Sequence, residues 1–142
     1  MTEYFYDDTK KELPSYQLHR LFLLAGWSDG SESPEILDKF NLPFINSTLV
    51  ISAWRDDRLL GVVRVLSDKT VRSVIYDLVI EPEFQRKGIG RELIKRCIQQ
   101  YPKSEWLVQT EEDTAGFYEK MGFDRYKNSI LRIPSKWFKK ET

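Results

Sequence analysis

An α/β fold, with a mixed, mostly antiparallel sheet flanked by helices on both faces, is predicted by three observations on this chain of 142 residues. Runs of β-branched and apolar residues alternate with runs whose apolar positions recur at helical spacing. Three of the strand-like runs follow one another through short polar turns in the middle of the chain. The last of them, Val71 to Ile80, leads through a glycine-bearing turn into a helix.

The elements follow in order. Glu3 to Tyr6 reads as a short first strand. Pro14 suits the first turn of a helix, Leu18, Leu21, Phe22 and Ala25 give it an apolar stripe, and Gly26 is its C-cap. Ser33 and Pro34 open a second helix as N-cap and N1, Ile36, Leu37 and Phe40 form its apolar face, and Asn41 and Pro43 end it. The polar linker from Trp27 to Glu32 is expected to be exposed. Thr48 to Trp54 and Leu59 to Leu66 read as strands joined by a hairpin at Arg55–Arg58. Pro82 cannot donate to a ladder, so the central strand stops near Glu81. Ile89, Leu93, Ile94, Cys97 and Ile98 make the buried stripe of the next helix. Trp106 to Gln109 is a short strand. Asp113 or Thr114 caps a helix carrying Phe117, Tyr118 and Met121 inward, and Gly122 closes it. Phe123 to Tyr126 and Ile130 to Ile133 form a final hairpin. The order is therefore β-α-α-β-β-β-α-β-α-β-β, within a single domain over residues 1–142.

Composition narrows the partners. Lys plus Arg and Asp plus Glu stand at 22 each, so the net charge is zero. That argues against nucleic acid or a membrane surface as the main partner. The longest apolar run, Leu21 to Trp27, is far short of the ~20 residues of a membrane span. The N-terminus is acidic and aromatic, unlike a signal peptide. One cysteine permits no internal disulfide, and a reducing, cytoplasmic setting fits it best. Cys97 lies on an apolar helix face and reads as a core thiol. No cluster has metal-ligand spacing.

The chemistry concentrates between the central strand and its helix. A helix start exposes unpaired N–H groups and the positive end of the helix dipole. Gly88 and Gly90 let an anion approach the backbone, and Arg86, Lys87 and Arg91 add charge. This is the composition of a phosphate cradle, or else of a tight turn that packs a helix on a strand. A P-loop is excluded, because no Ser or Thr follows Gly90 to hold Mg²⁺. A dinucleotide fingerprint is excluded because Leu93 stands where its third glycine would fall.

Gln85-Arg86-Lys87-Gly88-Ile89-Gly90 resembles the Gln/Arg-x-x-Gly-x-Gly/Ala signature of the GNAT superfamily of acyl-CoA-dependent N-acyltransferases. Phe117-Tyr118-Glu119-Lys120-Met121-Gly122-Phe123 resembles that family's Phe-Tyr-x-Lys-x-Gly-Phe segment. The resemblance is specific from about Leu59 to Phe123. It implies acetyl-CoA as acyl donor and an amine acceptor, small molecule or protein, with direct transfer and no acyl-enzyme. It implies a bulged, splayed strand in which Leu78, Val79 and Ile80 meet the pantetheine arm, the N–H near Leu78 facing the acyl carbonyl. Gln85, Arg86, Lys87, Gly88, Ile89, Gly90 and Arg91 would hold the pyrophosphate, and Phe117 would also touch the coenzyme. Tyr118 stands at the position of the acid that protonates the departing thiolate, or else is a core aromatic. Where many members carry Asn, seven residues before the tyrosine, this chain has Glu111.

The base is read from the residues. Asp77 sits in an apolar strand, where an unpaired acid is costly. It is a candidate to hold or deprotonate the amine, or a salt-bridge partner of Arg64 or Arg72. Glu81 is expected to be a solvated turn residue and His19 an exposed one. The acceptor is expected against the first two helices and the Arg55–Arg58 hairpin, with Trp27, Phe44 and Trp54 lining that side. The alternative to an enzyme is a non-catalytic acyl-CoA-binding or sensing module. A charged tail carrying Trp137 and Phe138 is compatible with a homodimer.

Overall fold

The computed structural model describes residues 3–137; Phe138 lies outside them. They form two compact units, one up to Gln109 and one from Thr110. The first unit holds β1 (Phe5–Asp7), α1 (Ser15–Leu24), α2 (Pro34–Asp38), α3 (Leu42–Ile45), β2 (Leu49–Arg55), β3 (Arg58–Ser67), β4 (Arg72–Ile80), a 3₁₀ turn at Pro82–Phe84, α4 (Ile89–Gln100) and β5 (Glu105–Val108). The second holds α5 (Glu112–Glu119). The sheet has the order β1-β2-β3-β4-β5. Its pairs are antiparallel except β4 with β5, which is parallel.

Local chemistry explains the boundaries. Gly26, at φ +80°, ends α1 in a left-handed turn. There Gly26 N–H donates to Leu23 O at 3.1 Å and Trp27 N–H to Phe22 O at 2.9 Å. The Phe22 and Trp27 rings meet edge-on across that cap at 5.6 Å. The Ser33 hydroxyl accepts from Ile36 N–H at 3.3 Å and caps α2. Asn41 and Pro43, expected to end a helix, instead start the short α3. Proline is tolerated there because the first turn has no N–H partner to lose.

Alternation along the strands sorts the core onto two faces. Val50, Val62 and Val79 pack with Leu13, Leu18, Leu21, Phe40 and Phe44 beneath α1. The neighbouring positions face α4, whose Ile89, Leu93, Ile94 and Cys97 are buried. Gly61 lies on that side: a Cβ there would come within 2.7 Å of Ile80 Cδ1 and 3.4 Å of Ile89 Cγ2. Burial pushes the Cys97 thiol up to about 12. Among the described residues no helix is long and apolar enough to cross a membrane.

The second unit corrects two elements. The N-cap of α5 is Glu111, without a side-chain cap bond, rather than Asp113 or Thr114. Arg125 instead ties the helix, bonding Glu112 at 2.9 Å and Glu119 at 3.2 Å. Phe123–Tyr126 and Ile130–Ile133, read as a hairpin, carry no ladder. Leu131 and Ile133 are about nine-tenths exposed. Strand propensity is insufficient without packed neighbours, and a lone hairpin is marginal in water.

Candidate functional site

The site is built where β4 leaves the sheet. The register of β4 against β3 passes from Arg64↔Asp77 to Val65↔Ile75, which leaves Tyr76 as a bulged residue. Pairing of β4 with β5 ends close by, at Ile75↔Val108. From there to Ile80 the outer edge of β4 runs past the end of the β5 ladder. Glu81 N–H donates to Leu60 O at 2.8 Å, so it points toward β3. Backbone groups alternate along an antiparallel strand, so those of Val79 and Asp77 point the same way and those of Leu78 and Ile80 point outward. The Ile80 carbonyl accepts from Gln85 Nε2 at 3.3 Å. The Val79 backbone faces β3 and its side chain is in the α1 core.

The turn that follows presents donors. Arg86 has φ +64° and Gly88 φ +89°. A left-handed arginine is strained, while glycine takes that conformation freely. A Cβ on Gly88 would meet nothing within 4 Å, so the space beside the turn is open. Gly88 is the N-cap of α4 and supplies no side-chain bond. The N–H groups of Ile89, Gly90 and Arg91 thus keep their outward direction at the positive end of the helix. The contrast with α2, which Ser33 caps, is direct.

Charge is distributed unevenly around this turn. Among the described residues of the first unit Arg55, Arg86 and Arg91 have no carboxylate partner, whereas Arg20, Arg58, Arg64, Arg72 and Arg96 all do. Arg55 lies over the rings of Tyr4 and Phe84, at 5.5 and 4.9 Å from their centroids. Lys87 Nζ is 5.5 Å from the same Phe84 ring. The buried Arg55 Nε has no hydrogen-bond partner.

On the α1 side of the strand the carboxylates are engaged. Arg64 Nε bonds Asp77 Oδ2 at 2.5 Å, the salt bridge weighed from the sequence. The Arg64 guanidinium also lies over the Tyr76 and Phe44 rings at 5.4 and 5.8 Å. Glu81 overturns its expectation as a solvated residue: it is 2% exposed. Arg58 bonds both its oxygens, through Nη2 to Oε2 at 2.8 Å and Nε to Oε1 at 3.1 Å. Arg20 Nη1 reaches Oε1 at 2.8 Å. Burial works to raise the Glu81 pKa, but the bonds from Arg58 and Arg20 outweigh it and hold the carboxyl below its ordinary value. A glutamate followed by proline gives no sequence signal of burial; its partners lie 23 and 61 residues away.

Other expectations shift as well. Phe44 is core, at 2% exposure, and Trp54 packs against the same cluster with Nε1 donating to Ser52 Oγ at 2.8 Å. Trp27 remains exposed. His19 is half-buried, 3.1 Å from Glu32 and edge-on to Phe40 at 5.2 Å. In the second unit Tyr118 is buried, its ring 5.0 Å from Phe117 and 5.5 Å from Phe123. Phe117 is 37% exposed, not an inward residue.

The fold is that of an α/β protein in which a strand edge past its neighbour leads into a helix start without a side-chain cap. A profile of the acetyltransferase (GNAT) domain matches residues 33–133. The uncharacterized N-acetyltransferase ycf52 of Pyropia yezoensis is 33% identical over 125 residues, which are 83% of this chain and 69% of that protein. A GNAT-family acetyltransferase of Streptococcus pneumoniae superposes with a TM-score of 0.76 at 21% identity, covering 94% of this chain and 99% of its own. An aminoglycoside acetyltransferase from a soil metagenome, solved with sisomicin, gives 0.67 at 22% identity, covering 93% and 95%. The last two share the fold. The chain belongs to the GNAT family of N-acetyltransferases.

Proposed function

We propose that the chain transfers an acetyl group from acetyl-CoA to a primary amine. The observation that carries this is the α4 start, without a side-chain cap and with Gly88 at φ +89°, beside Arg55, Arg86 and Arg91, which lack carboxylates among the described residues. A pyrophosphate would supply the missing anion, held by N–H groups of Gly88 to Arg91 and by Arg86 and Lys87. Gln85, bonded to the Ile80 carbonyl, would keep the turn against β4. The pantetheine arm would run along the outward backbone of Leu78 and Ile80, as an added strand does on a free edge. The Leu78 N–H would then face the acyl oxygen as charge develops there.

In the step itself the amine nitrogen attacks the thioester carbon, the oxyanion collapses, the C–S bond breaks, and the thiolate takes a proton. Tyr118 is proposed as the donor of that proton. Oδ2 of Asp77 is held by Arg64 and its other oxygen accepts no bond among the described residues, so Oδ1 is the proposed anchor for the incoming amine, which loses its proton there or to water. The profile match runs across the boundary between the two units, which supports residues 1–142 acting as one acyltransferase domain. A reducing, cytoplasm-like compartment suits the single buried thiol.

A second reading, an acyl-CoA-binding module without turnover, is favoured by one observation. Both acids near the strand end are already bound by arginine. Calorimetric titration with acetyl-CoA, CoA and ATP, followed by a screen of primary amines for thiol release, separates the readings. Saturable binding of the CoA species but not ATP, with amine-dependent release, is the expected result. Binding without release across the screen supports the module, and no CoA binding removes both. In the enzyme, Tyr118→Phe should keep acetyl-CoA affinity and lower kcat about 10–100-fold. An unchanged kcat removes Tyr118 from the reaction.

A further inference from the structure

Glu81 has no part in the transfer outlined above, yet it is the buried carboxylate at which three segments meet, α1, the start of β3 and the end of β4. We infer that Glu81, clamped by Arg58 and Arg20, is a positioning residue that fixes the path of β4 beside the coenzyme; this rests on the acetyl-CoA reading.

The geometry supports that role over plain stabilisation. Arg58 comes from the start of β3 and Arg20 from α1. Arg20 Nη2 also donates to Leu59 O at 2.7 Å, and Gln17, a turn earlier on α1, bonds Leu59 N–H at 2.9 Å and Asp57 O at 2.7 Å. The Glu81 N–H holds Leu60 O. Helix α1, the β2–β3 turn and the end of β4 are thus joined through one side chain. A buried ion cluster of this kind often adds little net stability compared with apolar packing, because desolvation offsets the attraction. What it supplies is geometry: charge-assisted bonds to a forked guanidinium tolerate little displacement. Glu81 stands between the two stretches the coenzyme would use, with Leu78 and Ile80 before it and the Pro82–Gly88 turn after it. A shift there moves both.

The test is calorimetric titration of the full chain with acetyl-CoA and CoA. The variants are Glu81→Gln, Arg58→Ala, the double variant, and Leu18→Ala as a destabilised control whose site lies in the core under α1. Circular dichroism at the titration temperature gives the folded fraction. Glu81→Gln is expected to weaken both CoA species about tenfold, because small misplacements of a binding segment are costly. Leu18→Ala, with an equal or larger loss of Tm, should stay within about twofold of wild type when corrected for folded fraction. Arg58→Ala should match Glu81→Gln, and the double variant should be no worse than either single, the signature of two residues acting as one unit. Arg58 is half-exposed, so its variant carries the test if Glu81→Gln fails to fold. Wild-type affinity in folded Glu81→Gln or Arg58→Ala would overturn the proposal. So would additive losses, which would mean that Arg58 binds the coenzyme directly. If wild type binds no CoA species, the acetyl-CoA reading falls and this one with it; if wild type binds and the variants do too, only this one falls.

Discussion

On the α1 side of the β4 terminus each arginine has a carboxylate: Arg20 and Arg58 share Glu81, and Arg64 holds Asp77. On the α4 side, among the described residues, Arg55, Arg86 and Arg91 have none, and the helix that starts there lacks a side-chain cap. The two sides are built from the same residue types within a few residues of one another. Paired guanidinium groups spend their bonds inside the protein and define shape. Unpaired ones beside open backbone donors keep that capacity for a ligand. The difference separates the part of the site that binds from the part that holds it in place, a division that residue type alone does not make.

The largest expected effect comes from supplying the absent anion covalently. Gly88→Glu would put a carboxylate into the open space at the α4 start. It should weaken acetyl-CoA by at least about a hundredfold, since it repels the pyrophosphate and engages its cations. The left-handed backbone at Gly88 adds a strain of about 1 kcal/mol, so calorimetric affinity is read beside Tm. Retained affinity in folded protein would erase the contrast between the two sides. Next in size is Arg20→Ala on the paired side. Glu81 keeps Arg58 but loses one bond in a buried place, and the Leu59 carbonyl loses its donor. A stability loss of about 2 kcal/mol in urea unfolding is expected. An Arg20→Ala protein as stable as wild type would mean that the paired cluster has no structural weight.

Much of this was legible in the sequence, and the omissions have a physical pattern. Local signals were sufficient for α1, α4 and the β2–β3–β4 meander, because periodicity, Ser33, Gly26 and Pro82 act within a turn of themselves. The glycine turn was legible because an anion site at a helix start needs small residues and cations close together in the chain. Glu81 was misread because burial and pairing come from distant segments, and a strand-ending Glu-Pro looks the same in water as in a core. Asp77 reads locally as a candidate to hold the amine or as a salt-bridge partner of Arg64 or Arg72, and Arg64, directly opposite on β3, bonds it. Asn41 and Pro43 read locally as stops, although proline at a first turn also starts helices. The hairpin expected after Phe123 failed for the opposite reason: alternation and propensity were present, but a ladder also needs packed neighbours, which no local pattern supplies.

Arg86 offers a prediction of opposite signs. Its φ of +64° is unfavourable for any residue with a Cβ, and it has no carboxylate among the described residues. Arg86→Gly should therefore raise stability by about 1 kcal/mol. It should also weaken acetyl-CoA about fivefold through the loss of one charged contact. A gain in Tm with loss of affinity would identify Arg86 as a residue whose conformation is tolerated for its binding role. A loss of both would place it with the structural arginines.

Acid should distinguish the two sides with the smallest effect. Glu81 titrates below its ordinary value in the folded chain, because Arg58 and Arg20 outweigh the burial that opposes them. A depressed carboxyl contributes stability that is complete above the unfolded-state pKa and is lost as pH falls through the folded one. The loss therefore begins as pH enters the usual glutamate range, where the unfolded chain takes up the proton, and is complete below the folded-state pKa. Stability measured by urea unfolding should decline at low pH, and Glu81→Gln should start lower at neutral pH and decline less steeply. Equal slopes for wild type and Glu81→Gln would shift the acid sensitivity to other depressed carboxyls, of which Asp68, bonded by the N–H groups of Thr70, Arg72 and Val71, is one in the same unit. Glu81 would then fix the shape of the strand end without setting its response to acid.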